Sequence, residues 1–152
     1  MRKAVTHVAP PTFVLERRIN ESTARVNLAL STRDSVVDPC TVSLAGDGVL
    51  SFDTPLRCTL GSYDLAWRTK GRLRTRRGRL VARVELTVDA WSSDATRLQI
   101  RPASHHPERW GRWRLNRYFR LAHVAADRIA REIQDCARVP QLRPVPEHVG
   151  IN

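Results

Sequence analysis

The segment LVARVELTVDA, residues 80–90, alternates apolar and polar side chains, and the expected architecture of the whole chain starts from it. Every second residue from Leu80 to Ala90 is apolar, and the residues between them are charged or polar apart from Val81. A period of two over this length is typical of a β-strand with one buried and one solvated face. The alternation returns at residues 96–101 after a Ser-Ser-Asp turn, so we expect a β-hairpin here.

The period of the apolar residues becomes helical after this hairpin. Apolar side chains spaced three and four apart form one helix face; they are Leu115, Phe119, Ala122, Ala126, Ile129 and Ile133. We expect this helix to run from about Trp113 to Arg138, where Val139-Pro140 ends it. Because neither apolar face is stable alone, the hairpin and the helix should bury each other.

The N-terminal part of the chain is predicted to form a strand followed by a short helix. Thr12–Ile19 is interpreted as a strand, because Phe13, Leu15 and Ile19 share one face and Glu16 and Arg18 the other. Residues 20–31 fit either a strand or a helix by their pattern. We favour a short helix, because Asn20 or Ser22 can act as its N-cap.

Further strands are predicted between this helix and the long hairpin. Residues 41–44 and 49–52 are joined by Ala45-Gly46-Asp47-Gly48, and an Asp-Gly dipeptide between two apolar alternations is typical of hairpin turns. Gly78 can supply the positive φ needed in a later turn. The predicted fold class is α+β, with a curved antiparallel sheet wrapped around the long C-terminal helix and a short helix after the first strand. The second half of the sheet is predicted to be a meander of three strands, 63–74, 79–91 and 95–101.

The chain of 152 residues is expected to form a single domain. We place the domain at residues 12–138, a flexible N-terminal arm at residues 1–11 and a Pro-rich flexible tail at residues 139–152. No run of 18 apolar residues is present, so no membrane span is expected. The basic N-terminus lacks the continuous apolar run of a signal peptide. We therefore expect a cytoplasmic protein.

The cysteines and histidines do not indicate a disulfide framework or a metal site. Cys40, Cys58 and Cys136 are odd in number and far apart, which favours buried thiols. His105-His106 and His123 are poor ligand candidates, because adjacent histidines rarely bind one ion well and no carboxylate pair stands at ligand spacing. We expect no metal and no cofactor.

The formal net charge of +11 is less informative than its distribution along the chain. Only Lys3 and Lys70 are lysine among the 26 basic residues, a bias that a GC-rich coding sequence produces without selection for binding. Residues 65–83 contain eight basic residues and no acidic residue, whereas residues 34–64 contain five acidic residues and one basic residue. This local asymmetry indicates a basic surface around the predicted turn near Gly78.

Four stretches resemble the SRPBCC superfamily, which contains START lipid-transfer domains and polyketide cyclase/dehydrase-like proteins. Phe13–Asn20 (FVLERRIN) is similar to the opening strand of these proteins, and Ala24–Thr32 (ARVNLALST) to their first helix. Pro55–Ser62 (PLRCTLGS) is similar to the approach to their central strands. Val84–Ile100 followed by Tyr118–Ile133 resembles their closing hairpin and long helix. The resemblance implies a helix-grip fold, although the second short helix of the family is not visible between the first helix and the central strands.

This resemblance also implies a hydrophobic small molecule as ligand, lipid- or polyketide-like, in a cavity between the sheet and the C-terminal helix. The small side chains on the helix stripe would leave space for it. An ordinary packed core is the alternative for the same residues. The implied cavity residues are Leu65, Trp67, Leu73, Leu80, Val84, Leu86, Val88, Leu98, Ile100, Leu115, Tyr118, Phe119, Ala122, Ala126 and Ile129.

The basic residues support a different hypothesis, in which the protein binds nucleic acid or an anionic membrane surface. Arginine interleaved with aromatic residues is typical of such surfaces, although a solvated Arg-rich surface needs no partner. In the predicted hairpin, Arg68, Lys70, Arg72, Arg74, Arg79 and Arg83 are expected on the outer face and Arg76 and Arg77 in the turn. The helix start adds Arg109, Arg112, Arg114, Arg117 and Arg120, interleaved with Trp110, Trp113 and Tyr118.

A cyclase- or dehydratase-type enzyme is a third hypothesis, and nothing in the sequence argues for it. General acid–base chemistry would need a polar group inside the cavity. Tyr63 and Tyr118 are the candidates that face it, whereas Asp64 and Glu85 are predicted to point outward. We predict no catalytic residue and a non-catalytic protein, and the sequence does not indicate its oligomeric state.

Overall fold

The computed structural model describes residues 13–32, 41–52, 57–58, 66–104 and 106–138. Within these residues, seven β-strands form one antiparallel sheet, and two α-helices accompany it. The strands are β1 (Leu15–Ile19), β2 (Thr41–Ser43), β3 (Gly48–Phe52), β4 (Arg57–Cys58), β5 (Ala66–Thr75), β6 (Leu80–Ser92) and β7 (Ala95–Pro102). The helices are α1 (Thr23–Thr32) and α2 (Arg112–Arg138).

The sheet is a curled half-barrel whose strands follow the order β1-β7-β6-β5-β3-β2, with β4 paired to β5. The three strands of the predicted meander, β5, β6 and β7, pair in sequence order at its centre. β1 closes one edge by pairing with β7, so that Leu15 lies opposite Ile100 and Ile19 opposite Thr96. The predicted α+β architecture, with a curved sheet, a long C-terminal helix and a short helix after the first strand, is confirmed.

The apolar side of the sheet and the apolar stripe of α2 form one hydrophobic core. α2 packs against β1, β5, β6 and β7. The alternation that predicted β6 is reproduced in its burial, because Ala82, Val84, Leu86 and Val88 are all buried. On α2 the buried residues are Tyr118, Leu121, Ala122, Ala125, Ala126, Ile129, Ala130, Ile133 and Ala137.

The short helix favoured at residues 20–31 is present as α1. Ser22 caps it, since its hydroxyl oxygen accepts a hydrogen bond from the backbone N–H of Arg25 at 3.2 Å. Its carbonyl accepts the N–H of Val26 at 3.0 Å. Val26 and Ala29 turn one side of α1 into the core, so the cap and the apolar spacing together decide for a helix over a strand.

The turn between β2 and β3 lies within the link that the sequence predicts at residues 45–48. Ala45 and Gly46 carry the positive φ angles, 55° and 83°, and Asp47 N–H donates to the Leu44 carbonyl at 2.9 Å. Gly48 instead begins β3 at a point of close approach. A Cβ atom there would stand 2.3 Å from the Arg74 carbonyl oxygen of the neighbouring strand, so only glycine fits.

The predicted orientation of the first residues of β6 is wrong, because the strand contains a β-bulge at Val81. Leu73 pairs with Ala82, but Arg74 pairs with Leu80, so Val81 is an extra residue in the ladder. Val81 is buried with Ala82, whereas Leu80 is 39% exposed and does not lie in the predicted cavity lining.

Several predictions fall on parts of the chain outside the described residues. These are the N-terminal arm, the Pro-rich tail, the cavity residue Leu65, and the residues Tyr63, Asp64, Cys40 and His105. Among the helices that the structure does describe, none is long and apolar enough to cross a membrane.

The cap of α1 provides a test of this local structure. Ser22→Ala should lower the free energy of unfolding by about 1 kcal/mol, because the N–H of Arg25 loses its acceptor. Ser22→Asp should retain most of that stability, since aspartate caps equally well. Urea denaturation of the three proteins measures both effects, and equal losses for the two variants would contradict the assignment of Ser22 as the cap.

Candidate functional site

An open groove of about 460 Å³ lies where the β2–β3 turn, the β5–β6 turn and the start of α2 meet. We call it the basic groove. Three parts of the sequence that are far apart contribute to it. Its lining residues are Gly46 and Asp47 from the first turn, Thr75, Arg76, Arg77 and Arg79 from the second turn, and Trp113 and Arg117 from α2.

Trp113 is the aromatic centre of the basic groove. Its side chain is 40% exposed, which is unusual for tryptophan in a folded domain. The guanidinium carbon of Arg79 lies 4.0 Å from the ring centroid, and that of Arg117 lies 6.0 Å from it. Cation–π attraction to tryptophan is the strongest of its kind, so these two arginines hold the exposed ring in place.

The basic groove carries positive charge that the described residues do not neutralise. In the described part of the chain, Arg76, Arg77, Arg79 and Arg117 have no ion-pair partner, whereas Arg17, Arg25, Arg97, Arg128 and Arg138 each have one. The lining also includes the carboxylate of Asp47, which leaves a formal excess of three positive charges. Such an excess in a recess attracts anions.

The turn that supplies three of these arginines is held by its own backbone. The N–H of Thr75 donates to the carbonyl of Arg79 at 2.8 Å, and the N–H of Arg79 donates to the Thr75 hydroxyl at 3.1 Å. Gly78 has a φ of 92°, as predicted for this turn, and its N–H donates to the Thr75 carbonyl at 2.8 Å. The guanidinium of Arg74 donates to the Gly78 carbonyl at 3.3 Å. The groove wall is therefore a defined turn and not a loose loop.

The start of α2 is fixed to the sheet by Arg114. Its Nε donates to the Val81 carbonyl at 2.6 Å, at the bulge where the ladder with β5 is interrupted. Its guanidinium also lies 4.2 Å from the Trp110 ring centroid. Arg114, which the sequence grouped with the basic surface, is thus a structural residue that holds Trp113 and Arg117 beside the β5–β6 turn.

The basic residues that the sequence placed on the outer face of the hairpin lie on that face of the sheet, with the exception of Arg79. Because their neighbours Trp67, Thr69, Gly71 and Leu73 are buried, the alternate side chains of β5 point away from α2. Lys70 lies opposite Glu85, and Arg72 lies opposite Arg83. We call this set the basic stripe, and its members are Arg68, Lys70, Arg72, Arg74 and Arg83. Arg79 was predicted on this face, but it lies against Trp113 in the groove.

The predicted cavity residues in the described part of the chain lie mostly in the hydrophobic core. Leu115 and Phe119 are partly buried against that core. The fully buried set is Trp67, Leu73, Val84, Leu86, Val88, Leu98, Ile100, Tyr118, Ala122, Ala126 and Ile129, with exposures of 0 to 3%. A packed core and the wall of an enclosed cavity both give such low exposure, so the cavity stays a prediction.

Tyr118, the predicted pocket-facing acid or base, has a structural partner. Its hydroxyl donates to the Phe13 carbonyl at 2.6 Å. Burial raises the pKa of Tyr118 far above its ordinary value, so the hydroxyl stays neutral. Its ring belongs to an aromatic cluster with Phe13, Trp110 and Phe119, whose centroids lie 5.2–6.4 Å apart.

The histidines in the described residues have partners other than a metal ion. His106 Nδ1 lies 3.2 Å from a carboxylate oxygen of Glu108. His123 Nδ1 accepts from the guanidinium of Arg17 at 3.0 Å, and Arg17 also pairs with Asp127 at 2.6 Å. No group of three or more His, Cys, Asp or Glu side chains in the described ranges could hold a metal ion.

The sequence indicated the arginines and Trp113 of the groove but not their meeting point. Gly46 and Asp47 were missed as lining residues, because only the pairing of β3 with β5 brings their turn beside Arg76. A signal for the bulge was present, since Val81 is apolar at a position where the alternation requires a polar residue.

The packing around Ala122 gives a test of the predicted cavity. Ala122→Trp should lower the free energy of unfolding by about 3 kcal/mol or more, because Ala122 is fully buried and the core has to move. Ala24→Trp, at an exposed position of α1, should cost only about 0.5 kcal/mol. Urea denaturation compares them. A stable Ala122→Trp variant would instead reveal space between the sheet and α2.

The hydroxyl of Tyr118 gives a test that depends on pH. Tyr118→Phe should cost about 1–3 kcal/mol at neutral pH, because the buried Phe13 carbonyl loses its donor. Above pH ~10, Tyr118 releases its proton in the unfolded chain but not in the folded protein. The free energy of unfolding of the wild-type protein therefore falls relative to that of Tyr118→Phe, by up to ~1.4 kcal/mol per pH unit. Denaturation at a series of alkaline pH values measures the difference, and a constant difference would exclude the raised pKa.

Comparisons with known proteins leave the family open. No protein-family model matches the chain, and no curated protein sequence matches it. One similar solved structure is the NMR structure of a protein from Arthrobacter aurescens, with 13% sequence identity and a TM-score of 0.41. The comparison covers 89% of this chain and 90% of that chain. The resemblance to the SRPBCC superfamily stays a prediction.

Proposed function

We propose that the protein binds nucleic acid through the basic groove and the adjoining basic stripe. The observation that carries the proposal is the convergence of Arg76, Arg77, Arg79 and Arg117 around the exposed ring of Trp113. In the described residues these four guanidiniums have no carboxylate partner. Phosphate groups are the partners that such a set of guanidiniums binds best, because each planar fork can donate two parallel hydrogen bonds.

The basic stripe begins at the β5–β6 turn and runs along β5 on the outer face of the sheet, which points away from α2. Alternate residues of a strand lie about 6.8 Å apart, so Arg68, Lys70, Arg72 and Arg74 form a row that leads to the turn at Arg76. Arg83 lies beside the row on β6, directly opposite Arg72. A row of cations suits a polymer with regularly repeated charges better than a single small anion.

An anionic membrane is a less suitable partner for this site. Stable docking on a membrane needs several inserted apolar side chains or a second anchor besides the basic patch. In the described residues the exposed large apolar side chains are Leu28, Leu80, Trp91 and Trp113. Trp91 lies at the β6–β7 end of the long hairpin, away from the groove, and Leu28 lies on α1, so of these four only Leu80, which follows Arg79, stands near the groove with Trp113. Trp113 lies within a recess, where a polymer strand reaches it more readily than a flat bilayer.

Removal of two groove arginines tests the proposal. Arg76→Gln with Arg77→Gln should weaken binding to a labelled oligonucleotide at least about tenfold at ~50 mM salt, because two phosphate contacts are lost. For a single strand, the slope of log affinity against log salt should fall in magnitude by about 1.4. Fluorescence anisotropy over a salt series measures both quantities.

A matched control is Arg18→Gln with Arg131→Gln. It changes the net charge equally, but Arg18 lies near Trp91 and Arg131 lies about 21 Å along α2 from Arg117. This variant should bind like the wild-type protein. Equal losses in the two double variants would show that only net charge matters. Binding to phosphatidylserine vesicles without binding to oligonucleotides would also contradict the proposal.

A second candidate function is binding of a hydrophobic small molecule on the concave side of the sheet. The observation that favours it is Trp67, which is 3% exposed and whose indole Nε1 has no hydrogen-bond partner among the described residues. A buried donor without a partner costs about 1–3 kcal/mol, and a ligand oxygen could supply the missing acceptor. The resemblance to the SRPBCC superfamily supports this candidate as well. Saturable binding of a fluorescent fatty acid, weakened by Trp67→Phe, is the expected result.

The cyclase- or dehydratase-type activity stays a prediction without support from a site. It would need a titratable group free to exchange a proton with the substrate. The Tyr118 hydroxyl keeps its proton and donates a hydrogen bond to a backbone carbonyl, and the other candidate, Tyr63, lies outside the described residues. We therefore propose a binding protein and not an enzyme.

A further inference from the structure

We propose that the basic groove accepts an unpaired nucleobase against the stacked side chains of Arg79 and Trp113, so that the protein selects single strands over duplexes. This inference rests on the proposed nucleic-acid binding and adds the form of nucleic acid that is bound. The basic stripe alone would not distinguish the two forms, because both carry phosphate charges on their surface. The distinction has to come from Trp113.

The volume of the groove suits a single base better than a duplex. The recess of about 460 Å³ has the size of a pocket for one small ligand and is walled by two β-turns and a helix end. In a duplex the base faces are covered by neighbouring bases, and extrusion of one base costs a few kcal/mol. Only a strand whose bases are already unstacked can place a base in this recess without that cost.

The side chains in the recess already form a stack. The guanidinium of Arg79 lies 4.0 Å from the centroid of the Trp113 ring, which is the separation of layered planar groups. Both residues are exposed at the groove. Indole rings and guanidinium planes are both surfaces on which proteins stack unpaired bases. A base can therefore extend a stack that exists before binding.

The stack is held in place independently of any ligand. Arg114 fixes the start of α2 at the bulge of β6 through its hydrogen bond to Val81. The hydrogen bonds between Thr75 and Arg79 fix the opposite wall. Because neither wall has to be ordered on binding, little conformational entropy is lost when a base enters. Arg76 and Arg77, at the turn beside the stack, are placed to contact the adjoining phosphates.

The test compares a labelled single-stranded oligonucleotide with the duplex formed by its complement, by fluorescence anisotropy at ~50 mM salt. Trp113→Ala should weaken binding of the single strand about tenfold, as expected for loss of one base–aromatic stack, and should change duplex binding less than about twofold. Trp113→Phe should restore most of the single-strand affinity, because a phenyl ring also stacks.

Trp91→Ala is the matched control. Trp91 is 43% exposed and has an arginine, Arg18, 5.9 Å from its ring, but it lies at the other end of β6. This variant should bind both probes like the wild-type protein. Unchanged single-strand binding in Trp113→Ala, or equal losses for the two probes, would overturn the inference.

The same experiment separates this inference from the proposal on which it rests. If the double variant at Arg76 and Arg77 loses binding to both probes while Trp113→Ala loses neither, nucleic-acid binding stands and base stacking is wrong. If the wild-type protein binds neither probe, both the proposed nucleic-acid binding and the base stacking are wrong.

Discussion

Burial of α2 against the concave side of the sheet is the constraint on which the rest of the structure depends. Ala122, Ala125 and Ala126 are fully buried, and such small side chains allow the helix backbone to approach the strands closely. Ile129 and Ile133 complete the stripe, and each buried side chain of this size contributes about 1.5–3 kcal/mol. The two surfaces fold together because each would otherwise expose its apolar face to water.

The bulge at Val81 connects this core to the surface of the protein. It adds one residue to β6, so Val81 turns inward and Leu80 outward, and Arg79 lies against Trp113. The Val81 carbonyl accepts its hydrogen bond from Arg114 of α2. A buried carbonyl without that donor would be costly, so the bulge and Arg114 stabilise each other. The geometry of the groove follows from this pair.

The charges of the described residues are arranged unevenly about this core. Arg97 bridges Asp89 and Glu16, and Arg17 pairs with Asp127, so much of the sheet surface away from the groove is locally neutral. The acidic residues of the described chain are mostly used in such pairs, and the arginines at the β5–β6 turn are left without them. The folded protein thus concentrates positive potential at one end of the sheet, where it would steer polyanions toward the exposed aromatic ring.

The sequence was sufficient for features that depend on local periodicity. The alternation in β6, the stripe of α2 and the Ser22 cap predicted a strand, a long helix and a short helix, because each pattern reports the burial of residues close together in the chain. The alternation failed at Leu80, Val81 and Arg79, whereas the turn at Ala45 and Gly46 lies within the predicted link at residues 45–48. A bulge is stable only if a distant residue satisfies the freed carbonyl, and a groove exists only where separate elements meet. Tertiary structure decided both, because the energies that select them come from contacts between residues far apart in sequence.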